Sequence, residues 1–177
     1  MKVFARITLM MLALAVPFGT SHAMGQFYFL ESPLVGEPAP DFTLKDLGGK
    51  DVNFASFREG KSSIIFFWAT WCPVCEEKLK ELSAKREELE QKGVKVLLVD
   101  LEETPKEVRS YLDNNKVAID VVIDEKSSVA ETYNIFGVPT LIFVDAAGVV
   151  QAVEHDLPEN YLSILSVPPQ PDQPQQL

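Results

Sequence analysis

The stretch Ile64-Ile65-Phe66-Phe67-Trp68-Ala69-Thr70-Trp71-Cys72-Pro73-Val74-Cys75 constrains this chain more than any other. It opens with an apolar, aromatic run that suits a strand covered on both faces. It turns at Ala69-Thr70-Trp71 and then places two cysteines three positions apart, with Pro73 between them. After Cys75 the pattern changes to charged residues with leucines at helical spacing. Pro73 fits the first helical position, where its missing N–H would have had no partner. Cys72 then stands at a helix N-terminus, where unpaired N–H groups and the helix dipole favour a thiolate. Cys75 falls within the first turn, close enough to close a disulfide.

A chain of 177 residues fits one domain with a substantial core. Its only two cysteines are this pair, which excludes a disulfide-stapled scaffold and makes them a working couple. A structural zinc site would need two more ligands, and only His22 and His155 are available, so redox chemistry is favoured over a metal. The net charge of −10 argues against nucleic acid and anionic membrane surfaces as partners.

Residues 1–23 read as a signal peptide: Lys2 and Arg6, an apolar run from Ile7 to Val16, breakers at Pro17 and Gly19, and a small-x-small site at Ser21-His22-Ala23. That run is too short to span a bilayer; an uncleaved anchor is the alternative. Cleavage would leave no integral membrane segment and implies a bacterial periplasm, where disulfide chemistry is expected. Residues 24–35 form an N-terminal arm. Residues 36–166 carry strand and helix signals, and the Pro/Gln-rich 167–177 is expected to be disordered.

Within 36–166, Asp41 to Phe54 reads as a hairpin turning at Asp46-Leu47-Gly48-Gly49. Phe57 falls on a short turn before the central strand, Ile64 to Trp68. Glu76 to Lys92 reads as one long helix with Leu79, Leu82 and Leu89 inward and Glu76/Lys80, Glu81/Lys85 and Glu88/Lys92 as i,i+4 pairs. Gly93 ends it. Val94 to Leu101 is a second buried strand. Thr104-Pro105-Lys106-Glu107 starts a helix with a capping box, and Ser128-Val129-Ala130-Glu131 repeats the signature for a short helix ending near Phe136-Gly137. Ile119 to Ile123, Thr140 to Val144 and Val149 to Val153 read as strands, and Pro158 to Leu165 as a closing helix. Strands alternating with helices before a terminal hairpin indicate an α/β domain.

Trp68-Ala69-Thr70-Trp71-Cys72-Pro73-Val74-Cys75 resembles the active-site segment of the thioredoxin superfamily, and more narrowly that of TlpA/ResA-type extracytoplasmic thiol–disulfide oxidoreductases. Gly36-Glu37-Pro38-Ala39-Pro40-Asp41-Phe42-Thr43-Leu44 and Gly137-Val138-Pro139-Thr140 extend the match, which runs from about Gly36 to about Gly148. The resemblance implies a thioredoxin-like fold: a central mixed β-sheet flanked by helices, with an N-terminal β-hairpin (Asp41 to Phe54) and an inserted helix and strand (Pro105 to Ile123). It also implies a cis bond before Pro139, with the Val138 backbone pairing with an extended substrate strand. Without it, Pro139 would read as a strand-initiating proline.

The chemistry expected is exchange with protein disulfide or dithiol substrates: thiolate attack by Cys72, a mixed disulfide, and resolution by Cys75. No cofactor is expected beyond the Cys72–Cys75 redox couple. Trp71 and Pro73 shape the substrate-facing surface, whereas Trp68 belongs to the core. His155 is given no role. The resemblance points to a monomeric reductant supplied by a membrane electron donor. Two departures from the family bear on proton transfer. Phe66 occupies the position of the buried aspartate of thioredoxins, and Lys78 and Lys80 occupy those of the glutamate and proline common in TlpA/ResA-type proteins. Glu77 is left as the candidate proton relay, about 100° round the helix from the usual place. Rival readings are a peroxidase, which lacks its threonine because Ala69 stands there; a Sco-like copper-delivery protein, whose cysteine spacing is one residue longer; and a redox-inert binding module on the same fold.

Overall fold

The strand at the centre of the domain is Ser63–Trp68, buried along its whole length. Five branched or aromatic side chains in a row, Ile64 to Trp68, leave no polar face, so the strand requires cover on both sides. In the computed structural model, which describes residues 32–166, it is the fifth of seven strands in one mixed sheet. Numbered along the chain, the strands are β1 (Thr43–Asp46), β2 (Asp51–Asn53), β3 (Ser63–Trp68), β4 (Lys95–Leu101), β5 (Asp120–Asp124), β6 (Thr140–Val144) and β7 (Val150–Glu154). The order across the sheet is β2-β1-β5-β4-β3-β6-β7, with β3, β4 and β5 parallel and the remaining neighbours antiparallel. The helices are α1 (Phe54–Arg58), α2 (Pro73–Ala84), α3 (Arg86–Gln91), α4 (Pro105–Asn115), α5 (Ser128–Thr132) and α6 (Tyr161–Leu165).

The period-two alternation of strand side chains divides the core into two layers. On one face Ile64, Phe66, Trp68, Leu98, Ile123 and Phe143 pack against α2, α3, α4 and α6. On the other, Ile65, Phe67, Leu97, Val99 and Val144 pack against Phe54 of α1 and Val129 and Ala130 of α5. The expected α/β fold with an N-terminal hairpin and an inserted α4–β5 unit is the one observed. The expected signal peptide, most of the arm and the tail lie outside the described residues.

Several expectations need correction. Phe54 does not end the hairpin: Asn53 caps a helix there, its side chain accepting from Ser56 N–H, and Phe57 lies on that helix. The single helix from Glu76 to Lys92 is two, broken at Lys85, whose ψ of 0° departs from helical geometry. Leu79, Leu82 and Leu89 are nonetheless all buried. Of the expected i,i+4 pairs only Glu76–Lys80 forms; Lys78 pairs with Glu81, and Arg86 with Glu90. The capping box at Thr104 is complete. The one expected at Ser128 is absent: the N-cap of α5 is Ser127, one residue earlier, with no hydrogen bond from its side chain, and the helix ends at Thr132. Asp124, at the end of β5, caps it instead by accepting the N–H groups of Ser128, Val129 and Ala130. The closing helix begins at Tyr161, three residues after Pro158.

Candidate active site

The sheet order brings the two signature segments together. β3 and β6 are antiparallel, with Phe67 paired to Thr140, so the residues entering β6 lie beside those leaving β3. Pro139, preceded by a cis bond from Val138, therefore stands next to the Ala69–Trp71 turn. Among the described residues neither the N–H nor the C=O of Val138 has a hydrogen-bond partner. His155, given no role from the sequence, places Nδ1 at 2.8 Å from the Pro139 carbonyl. A carbonyl only accepts, so that nitrogen carries the proton.

Cys72 is the N-cap of α2, its extended backbone preceding Pro73 at the first helical position. Its Sγ accepts the Cys75 N–H at 3.2 Å, as a capping side chain does. The two cysteines are joined as a disulfide with Cα atoms 5.3 Å apart. Cys72 retains 5% exposure and Cys75 none. Around them the surface is apolar: Trp71 is 68% exposed, Val74 52% and Phe136 98%. Trp71, Leu101, Ala130, Ile135, Phe136 and Val138 line a shallow groove of about 300 Å³, with Glu102 and Glu131 on its rim. A groove lined by Lys61, Arg86 and Lys95 lies at the other end of the sheet, away from the cysteines. Trp68 is fully buried, as expected.

The carboxylates are arranged differently from the sequence expectation. Glu77 is exposed. Lys78 is bound to Asp156 and Glu81, and the Asp156 hydrogen bond holds its ammonium above the usual lysine range. Glu103, following β4, accepts the Thr70 backbone N–H at 2.6 Å and the Thr70 hydroxyl, so it braces the turn that precedes Cys72. Asp100, near the end of β4, is fully buried, and sequence reasoning missed it. Its signal was a lone acid inside the apolar run Val94 to Leu101. Among the described residues no group of three or more His, Cys, Asp and Glu side chains could hold a metal ion.

A buried disulfide on a helix N-terminus, beside a cis-proline loop and an apolar groove, defines a thioredoxin-like thiol–disulfide oxidoreductase. The AhpC/TSA family matches residues 35–153, and the chain belongs to that family. It is 30% identical to the thiol-disulfide oxidoreductase ResA of Bacillus cereus, over 85% of this chain and 86% of the relative. It is 32% identical to the thioredoxin-like protein YneN of Bacillus subtilis, over 67% and 69%. The putative thiol:disulfide interchange protein DsbE of Chlorobium tepidum shares the fold, with a TM-score of 0.67 at 24% identity over 75% of this chain and 98% of that one.

Proposed function

We propose that this chain reduces disulfides in protein substrates in the periplasm, with Cys72 as nucleophile and Cys75 as resolving thiol. The observation that carries the assignment of roles is the asymmetry of the pair. Cys72 caps α2 and keeps access to solvent, whereas Cys75 is wholly enclosed. A protein thiol or disulfide can reach only the first. The substrate segment lies extended across the cis-proline loop, pairing with the free N–H and C=O of Val138, and its apolar side chains rest on Trp71, Val74 and Phe136. Pro73 holds the start of α2, and the redox couple is the Cys72–Cys75 disulfide itself. A membrane donor returns electrons to the pair, since the surroundings are oxidising. The ResA relatives support the reaction class, and the signal-like residues 1–23 support the compartment.

The test is trapping. Cys75→Ser should accumulate mixed disulfides through Cys72, and Cys72→Ser should accumulate few. Equal trapping by the two variants would refute the roles. The midpoint potential tests the direction: a value near about −270 mV, as in thioredoxin, marks a reductant, and one near about −120 mV, as in DsbA, an oxidant.

A further inference from the structure

Among the described residues one buried carboxyl neither caps a helix nor bridges two elements. Asp100 is 0% exposed, and neither Oδ1 nor Oδ2 has a hydrogen bond of good geometry among the described residues; the backbone N–H and the carboxyl of Glu103 are its nearest polar neighbours. An ionised carboxylate is costly to hold in such a place, and one without donors contributes no bond in return. Buried acids retained for structure usually cap or bridge, as Asp124 and Asp145 do here.

Its position is set by strand alternation and register. Leu97 and Val99 face α1 and α5, while Val96 and Leu98 face the layer that contains α2. Asp100 projects with the latter. Its register partners are Trp68 on β3 and Ile123 on β5, and both belong to the cluster that encloses Cys75 and Leu79. The Trp68 Nε1–H in the same patch also lacks a partner. The groups that face this patch are Cys75 on α2, Tyr111 on α4 and Glu103 in the loop between β4 and α4, with Glu107 of α4 acting from further off; the remaining charges of α2 and α4 are Glu76, Glu77, Lys78, Lys80, Glu81, Lys106, Arg109 and Asp113. Lys80 on α2 is bound to Glu76. Burial first, and the Glu103 carboxylate next, push Asp100 up to about 9. With the disulfide closed it is therefore a neutral acid at neutral pH. Glu103, half-buried, connects it to the turn before Cys72 through Thr70.

We propose that Asp100 is the proton carrier for the enclosed sulfur of Cys75, with Glu103 linking it to solvent. The proposal rests on the exchange chemistry above. When an incoming thiolate attacks Cys72 Sγ, a new S–S bond forms and the Cys72–Cys75 bond breaks. The electron pair goes to the Cys75 sulfur, which takes the proton of Asp100. The carboxylate left behind is reprotonated from water by way of Glu103. In the opposite direction Asp100 first releases its proton to water by way of Glu103; the carboxylate then removes the Cys75 proton, Cys75 attacks Cys72 in the mixed disulfide, and the substrate sulfur leaves as a thiolate. The carboxyl that Phe66 and Lys78 do not provide is thus supplied from the adjacent strand.

The experiment is stopped-flow reduction of the oxidised full-length protein by dithiothreitol across the pH range, comparing wild type, Asp100→Asn and Glu103→Gln. Rates are corrected for the thiolate fraction of the reductant. Asp100→Asn should be slower by roughly tenfold or more near neutral pH, a conservative figure for loss of a general acid. The gap should close at alkaline pH, where the wild-type acid is itself ionised. Glu103→Gln should move the wild-type inflection to lower pH, because it removes a negative neighbour; a merely structural role would not shift it. Superimposable profiles for wild type and Asp100→Asn would overturn the proposal. Infrared difference spectra of unmodified protein, reduced minus oxidised, give a second test that does not depend on the folding of a variant. The carbonyl band of a buried protonated carboxyl should change with redox state, and an unchanged band would overturn the proposal. A wild-type disulfide that dithiothreitol does not open would overturn the exchange reading itself, and this proposal with it.

Discussion

Replacing Asp100 by asparagine should make the oxidised protein more stable at neutral pH and less sensitive to alkali. The native acid titrates at about 9 and its ordinary value is 3.8. At pH 7 the native state therefore holds a proton that the unfolded chain has released. Stability falls with pH wherever the native state binds more protons, so this group erodes stability from about pH 4 up to about 9. Roughly three units separate the ordinary value from pH 7, and at about 1.36 kcal/mol per unit the penalty is at most about 4 kcal/mol. Asparagine removes the penalty but leaves an amide in a site without partners, which costs about 1–3 kcal/mol. The net expectation is a gain of about 1–3 kcal/mol at pH 7. Near pH 4 the unfolded acid is only about half ionised and the penalty falls below about 1 kcal/mol, so the gain should vanish or reverse. Asp41, Glu107 and Asp156 are held below the usual carboxylate range and give the opposite slope, with stability lost as pH falls. They are common to both proteins and cancel in the difference. The assay is urea denaturation of the two oxidised proteins from pH 4 to 8.5. Parallel stability–pH curves between pH 5 and 8 would refute the reasoning, as would an asparagine variant less stable at pH 7.

Asp124→Ala should destabilise the domain by about 2–3 kcal/mol, since three backbone N–H groups at the start of α5 lose their acceptor; chemical denaturation measures it. Gly148→Ala should cost about 1–3 kcal/mol by the same assay. Its φ of +92° is strained for alanine, and an added Cβ would lie 2.6 Å from Arg58 Nη2, displacing a guanidinium that bonds the Asp145 and Ala146 carbonyls. Phe136→Ala should raise KM for a protein disulfide by roughly fivefold or more with kcat little changed, the signature of lost uniform binding in steady-state insulin reduction.

What could be read from the sequence was whatever a local pattern controls. β3 follows from its unbroken apolar run, the start of α2 from Cys72-Pro73, and the start of α4 from Thr104-Pro105-Lys106-Glu107. The errors lie where a distant group decides. Ser128 matches a capping box by composition, yet Asp124 reaches the same N–H groups from the end of a neighbouring strand. The break at Lys85 leaves no mark in the leucine stripe, because Leu79, Leu82 and Leu89 all still find the core. Both cysteines and the proline loop were identifiable because each is contiguous in the chain. Asp100 was not, because an acid in a strand carries no hint of which face it occupies until register pairs it with Trp68. His155 is likewise a role of topology: only the β6–β7 hairpin returns it to the Pro139 carbonyl.

The electrostatics of the site argue for the reducing direction. A strongly oxidising dithiol is one whose reduced form is stabilised, and a stabilised thiolate is the usual means. Here the N-terminus of α2 favours a Cys72 thiolate, but the charges about it do not. Glu76 sits in the first turn, Glu77 follows it, and Glu103 braces the turn immediately before the cysteine. Lys78 and Lys80, the cations that follow on α2, are engaged by Asp156 and Glu76. Cys75 is enclosed, and burial in an apolar layer favours its neutral thiol. The reduced form therefore gains little from ionisation, whereas the disulfide carries no charge for this acidic surround to oppose. That balance is what the proposed reducing role requires, and it predicts a potential toward the thioredoxin end of the range. It is also the setting in which the proton carrier proposed on β4 would act: an enclosed sulfur that does not remain charged must exchange its proton each time the disulfide opens or closes.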